Sequence, residues 1–282
     1  MKSLDKTLPA SGKPAGEQDA LSPYAEALRA HFPSREALLQ EAIQQTQRRR
    51  RLKQALATSA CCLLAAVVWY DPVWSTQRMQ TAIGQSASFQ LQDGSTVSLN
   101  TNTLLIAEQH LRSRQLRLAQ GEALFSVKHA WQPFTVAANQ VVVRDIGTVF
   151  NLRNTAQGAT VTVIEGSVDV ITAQAQRRLT QHLSVTTTGA SIAETIAANA
   201  ETVTAWQQGR LIFDGQPLSE VVAELQRYHA GPIIVADARA AQYRLSGEYD
   251  IHGIDALLAA LPEILPVRVE KRAEATIVIR QR

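Results

Sequence analysis

Cysteine is nearly absent from this 282-residue chain, and the two it has, Cys61 and Cys62, are adjacent within an apolar segment. That arrangement offers neither metal-ligand spacing nor an intrachain bridge, so no disulfide is expected to hold a domain together. Catalytic constellations are missing as well. His110, His129, His182, His229 and His252 sit in dissimilar local patterns, with no zincin or nucleophile-elbow motif, which argues against an exported hydrolase. No glycine-rich loop opens a helix, so Gly121, Gly147 and Gly166 are read as backbone corners and not as phosphate contacts. Neither catalysis, a metal nor a cofactor is expected. The formal charge is only +3, and much of the basicity lies in one arginine block, so no direct nucleic-acid contact is expected.

Charge is missing again from Gln54 to Tyr70. As a helix this run is roughly 26 Å long, near the lower limit for a bilayer core. Arg48, Arg49, Arg50, Arg51 and Lys53 precede it, while Trp69, Tyr70 and Trp74 follow, which fits the positive-inside rule and the interfacial aromatic belt. The pattern predicts a transmembrane helix over 54–70, with the N-terminus in the cytoplasm and the C-terminal bulk outside it. A core helix and a cleaved secretion signal are the rival readings. About fifty residues precede the run, and Trp69, Tyr70, Asp71 and Pro72 close it, which disfavours cleavage. Phosphate binding by the arginine block is a further alternative, but the block abuts the apolar run and is better explained as topogenic.

Residues 1 to about 20 carry almost no large apolar side chains and are read as a flexible tail. "LSPYAEALRAHF" then places Ser22 at an N-cap and Pro23 at the first helical position, with Leu28 on the apolar face. "PSREALLQEAIQQTQ" repeats the device, with Ser34 as cap and Leu38, Leu39, Ala42 and Ile43 as a stripe. Two such helices are too small to form a core alone, which predicts a partner; a plain stalk leading into the membrane is the alternative.

After residue 75 the pattern turns to short alternating segments. "ASFQLQDGSTVSLN" signals a hairpin around Asp93-Gly94. "LRLAQGEALFSV" and "VTVIEGSVDVIT" resemble each other, each a strand, a glycine turn beside an acid, and a strand, as in stacked β-layers. From Ala205 the pattern becomes α+β. "GRLIFDGQPLSEVVAELQRYHAGPIIVAD" reads strand, helix, strand, and a second unit follows from "YRLSGEYD" onward. The expected fold is a short α-helical arm and one transmembrane helix, then an all-β, solenoid- or sandwich-like domain and a small α+β domain of paired βαβ units. The expected boundaries are an arm over 1–53, the span over 54–70, the β-rich domain over 75–190, a linker over 191–204 and the terminal domain over 205–282.

Within these segments, Asp93-Gly94-Ser95, Gly121-Glu122-Ala123 with Phe125 and Val127, Pro133-Phe134 with Val136, Gly147-Thr148 with Phe150, and Glu165-Gly166 occur in that order. The series resembles the FecR family of transmembrane anti-sigma regulators. Ala205-Trp206, Gly209, Phe213, Pro217-Leu218, Val221 and Arg227-Tyr228 are similar to that family's C-terminal half, itself like the short N-terminal domain of secretins and TonB-dependent receptors. The arm contains no tryptophan and "TQHLSV" lacks a glycine-containing turn, two departures from the family pattern.

The resemblance implies a single-pass protein of the bacterial inner membrane, with its C-terminus in the periplasm. It would relay a signal from the N-terminal signalling domain of a ligand-loaded TonB-dependent outer-membrane receptor to an extracytoplasmic-function sigma factor for iron-uptake genes, with regulated proteolysis releasing the arm. Leu28, Leu38, Leu39 and Ile43 are the expected sigma-factor contacts. Tyr243, Arg244, Glu248 and Tyr249 are the expected receptor contacts, with Leu245 between them as a core residue; partly buried, purely structural tyrosines are the other reading of that strand. A membrane-anchored periplasmic scaffold that binds cell-wall glycan or a secretion channel is the alternative function.

Overall fold

A computed structural model of the chain describes residues 34–145, 147–272 and 275–282. The tail expected over 1–20, the helix capped at Ser22, and Leu28 lie outside the described residues. The chain divides into two compact units, residues 1–67 and 68–282.

Helix α1 (Arg35–Tyr70) runs unbroken for 36 residues. Ser34 starts it, its Oγ accepting the Ala37 N–H at 3.2 Å. No glycine or proline interrupts it, and the arginines between its two apolar stretches are good helix formers. An amphipathic helix and a separate span were to be expected; the two are one helix. Asp71, at φ 45° and followed by Pro72, ends it, because a residue before proline is driven out of the helical region. None of its residues is buried, and it is long and apolar enough to cross a membrane. At 1.5 Å per residue it extends about 54 Å, well beyond a bilayer core of about 30 Å.

The second unit opens with β1 (Val73–Gln80), β2 (Ala87–Gln90), β3 (Thr96–Leu99), β4 (Leu104–His110), β5 (Arg114–Gln120), β6 (Glu122–Ser126), β7 (Phe134–Ala138) and β8 (Val141–Asp145). It continues with β9 (Val149–Thr155), β10 (Gly158–Glu165), β11 (Ser167–Ile171), β12 (Gln176–Thr180), β13 (Leu183–Thr188), β14 (Ser191–Ile192) and β15 (Ile196–Ala197). These form two sheets, one ordered β1-β4-β5-β7-β8-β11-β12 and the other β14-β13-β10-β9-β6-β3-β2, with β15 also on β13. The chain passes repeatedly from one sheet to the other, and Gly121 (β5 to β6), Gly147 (β8 to β9) and Gly166 (β10 to β11) each stand at a crossing. At Gly121 (φ +87°) an added Cβ would lie 2.2 Å from Thr103 Oγ1, and at Gly166 (φ +83°) 2.5 Å from Thr148 Cγ2. The two similar sequence segments therefore mark equivalent crossings, not hairpins. Phe125 fills the space between the sheets, stacked on Phe150 at 4.9 Å and edge-on to Phe134 at 6.2 Å.

The stretch over 191–204 is more than a bare connection. It pairs β14 and β15 onto the edge of β13, then forms helix α2 (Ala200–Thr204), capped by the Asn199 side chain. The terminal domain contains β16 (Arg210–Pro217), α3 (Leu218–Leu225), β17 (Ile233–Val235), α4 (Ala238–Ala241), β18 (Arg244–Asp250), α5 (Ile254–Ile264), β19 (Val267–Lys271) and β20 (Ile277–Gln281). β16 pairs with β18, and β17, β20 and β19 form a second small sheet. Leu218, Val221, Val222 and Leu225 on α3 meet Leu257, Leu258 and Leu261 on α5 in its core.

Candidate functional site

The clearest constellation of buried charge lies where the terminal domain meets the sandwich. Glu122 opens β6, a strand whose residues Glu122, Ala123, Leu124 and Phe125 are all buried. Alternation fails there because both faces of the strand are covered: Phe125 faces the sandwich core, whereas Leu124 belongs to the core of the terminal domain, along with the partly buried Val149 and Ile164. On that second face the Glu122 carboxylate accepts from Arg227 Nη2 at 2.5 Å, Asn100 Nδ2 at 2.8 Å and Asn151 Nδ2 at 2.7 Å. Arg227 and, at 2.7 Å, Arg153 both pair with Glu224 on α3. Asn100 also donates to the Tyr228 hydroxyl at 2.8 Å, and Thr101 Oγ1 to the Arg227 carbonyl at 2.9 Å.

Burial opposes ionisation of Glu122, but the charges of Arg227 and Arg153 and the donors from Asn151 and Arg227 outweigh it and hold the carboxyl below its usual range. Burial likewise pushes the Tyr228 phenol well up, so it remains a neutral hydroxyl. Beside this network lies a cleft of about 410 Å³ lined by Asn151, Arg153, Trp206, Phe213, Glu220 and Glu224. Asn151 Oδ1 and Trp206 Nε1 are buried without a hydrogen-bond partner among the described residues. No cluster of three or more His, Cys, Asp or Glu capable of holding a metal occurs among the described residues.

The described residues expected to meet partners lie on α1 and at β18. Leu38, Leu39 and Ile43 lie on α1, each about half exposed. On β18, Leu245 is buried; Tyr243, just before the strand, and Tyr249 on it pack partly against the same core, Tyr249 with its ring 5.9 Å from Phe213. Arg244 and Glu248 are the exposed members: Arg244 donates to the Gly215 carbonyl at 2.5 Å and Glu248 pairs with Arg210 at 2.7 Å. Residue-pattern reasoning did not link Glu122 to Arg227, which are 105 positions apart. An acid between a glycine corner and "ALF" was the available signal, since a charged group inside a doubly buried strand needs a partner.

The model of the FecR protein matches residues 77–169, and that of the FecR C-terminal region matches residues 210–279. The chain belongs to the FecR family. Glu122 lies in the first FecR region and Arg227 in the second, so the buried ion pair joins the two halves. Two crystal structures of candidate anti-sigma factors from Parabacteroides distasonis are similar to this FecR chain. One, at 2.50 Å resolution, has a TM-score of 0.63 and 26% identity over 74% of this chain and 100% of its own. The other, at 1.65 Å, has a TM-score of 0.64 and 27% identity over 73% of this chain and 99% of its own. No curated protein matches the chain.

Proposed function

We propose that this FecR-family chain is a single-pass inner-membrane anti-sigma regulator, with its N-terminus in the cytoplasm and residues 71–282 in the periplasm. The observation that carries the reading is the order of parts: a helix able to cross a membrane leads directly into both FecR regions, in an architecture similar to candidate anti-sigma factors. The basic block before the apolar run and the aromatics after it support this orientation.

In this reading Leu28, Leu38, Leu39 and Ile43 contact an extracytoplasmic-function sigma factor. The N-terminal signalling domain of a TonB-dependent receptor docks on β18 through Arg244, Glu248 and the exposed parts of Tyr243 and Tyr249. Strand addition suits that site, because β18 has β16 on one side only. Iron-source uptake is the regulated process, and regulated proteolysis frees the arm. The test is titration of the full chain in nanodiscs with the extracytoplasmic-function sigma factors of its own host. Burying one leucine is worth roughly 1.5–3 kcal/mol, so Leu38→Asp with Leu39→Asp should weaken binding by at least about tenfold. Equal binding by both forms would refute the contact, and no binding by either would refute the function.

A further inference from the structure

Asp71, the first residue after α1, is fastened to the turn between β4 and β5. Its carbonyl lies 2.7 Å from His110 Nδ1, and its carboxylate accepts the Arg112 N–H at 2.7 Å and the Ser113 hydroxyl at 2.9 Å. Burial disfavours the charged form, but the Ser113 and Arg112 hydrogen bonds and the neighbouring positive groups prevail, so the Asp71 carboxyl stays below its usual range and the tie persists at neutral pH. The turn is held in the same way to the loop before β7. Gln132 Nε2 donates to the Leu111 carbonyl at 3.0 Å, and Arg114 Nη2 donates to the Gln132 carbonyl at 2.6 Å.

These ties gather unburied apolar groups from three chain segments at the point where the chain leaves its apolar helix. Trp131 is 79% exposed, Leu111 49% and Trp74 70%, next to Trp69 and Tyr70 at the end of α1. Trp74 and Gln132 line one recess with His110 and Ser113. Elsewhere on the described sandwich and terminal domain the exposed large apolar residues, such as Val142, Ile196 and Ile234, are aliphatic. A loop-tip tryptophan in water leaves its ring unsatisfied, whereas headgroup and upper acyl regions solvate both the ring and its N–H.

We propose that Leu111 and Trp131, together with Trp74, form a membrane-facing surface that sits in the headgroup region of the bilayer crossed by α1. The proposal rests on the reading of α1 as a membrane anchor. The Asp71 ties commit the occupant to lipid: they keep the Leu111 turn within hydrogen-bond distance of the residue that follows the span.

The test uses the full chain, with Cys61→Ala and Cys62→Ala, in nanodiscs of phosphatidylethanolamine and phosphatidylglycerol. Single nitroxide labels are placed at Arg112→Cys, at Leu64→Cys in the span and at Ile234→Cys on the terminal domain. Collision with a water-soluble nickel chelate should be at least about threefold lower at position 112 than at 234, as for interfacial burial of 5–10 Å. Oxygen collision at 112 should remain high. Adding Leu111→Gln and Trp131→Gln, both at exposed positions, should raise nickel access at 112 toward the level at 234. If position 64 is open to nickel, the anchor reading fails and the inference with it. If 64 is shielded while 112 matches 234, only the membrane-facing surface is overturned. Shielding of 112 from both reagents would mean a protein occupant, and shielding that survives the double change would remove Leu111 and Trp131 from the contact; either result overturns the proposal.

Discussion

Two of the Arg–Glu pairs made by the terminal domain, Arg227 with Glu122 of the sandwich and Arg210 with Glu248, differ in surroundings. Arg227–Glu122 is buried at the junction with the sandwich, its carboxylate also accepting from two asparagines. Arg210–Glu248 joins β16 to β18 with Glu248 about half exposed. A buried pair that loses one partner leaves an uncompensated charge, whereas an exposed pair exchanges its contacts for water. The first therefore holds domains together, and the second sits on a strand free to trade partners.

The sharpest way to break this contrast is Arg227→Ala. It strands the Glu122 carboxylate and should cost about 3–5 kcal/mol of domain docking. Denaturant titration of the full chain, followed by the fluorescence of the buried Trp206, should show the terminal domain separating first. Gly121→Ala ranks next, through both its positive φ and the close approach to Thr103. It should destabilise the sandwich itself by about 1–3 kcal/mol, measured by the same titration with the order of transitions preserved.

Acid should reproduce the first effect reversibly. Glu122 titrates lower in the folded chain than in the unfolded chain, so its contribution is complete above the ordinary glutamate range. It is lost as the pH falls through the folded value. Docking followed by Trp206 fluorescence should thus hold from neutral pH to about pH 5 and weaken below that. Glu122→Gln should flatten the profile. The smallest stability effect belongs to Glu248→Ala, about 0–1 kcal/mol. Receptor-domain binding should nevertheless weaken with an unchanged melt, and Arg244→Ala should behave the same way. Tyr243→Ala should lower both, because that ring packs on the core.

Much of this architecture was legible from local pattern. The Asp93-Gly94 hairpin, the stripe of α3 and Ser34 as a helix start all follow from rules acting over a few residues, and all are present. The glycine corners were legible as corners, but their direction was not, since crossing to the opposite sheet depends on strands far away in sequence. Continuity of α1 was missed because a change from amphipathic to apolar composition suggests a boundary that the backbone does not require. Of the sites, the buried Leu245 was readable from alternation. The Glu122–Arg227 joint was not, because a pair separated by 105 positions has no local signature.

That separation has a consequence in time. Strands β1 to β15 pair only among themselves, so the sandwich can close before residue 227 has been delivered. If the chain crosses the membrane from its anchor toward its C-terminus, Glu122 keeps its two asparagine donors but stands hydrated, without Arg227, until the last third of the translocating polypeptide arrives. Domains generally fold as units, N-terminal first, as synthesis proceeds. Desolvation of that one carboxylate then becomes the final assembly step, and the half-delivered chain presents a finished sandwich with the face of Leu124 still bare. A translocation-stalled chain ending before Arg227 should accordingly be far more open to a folding factor that recognises apolar strand faces than the completed protein.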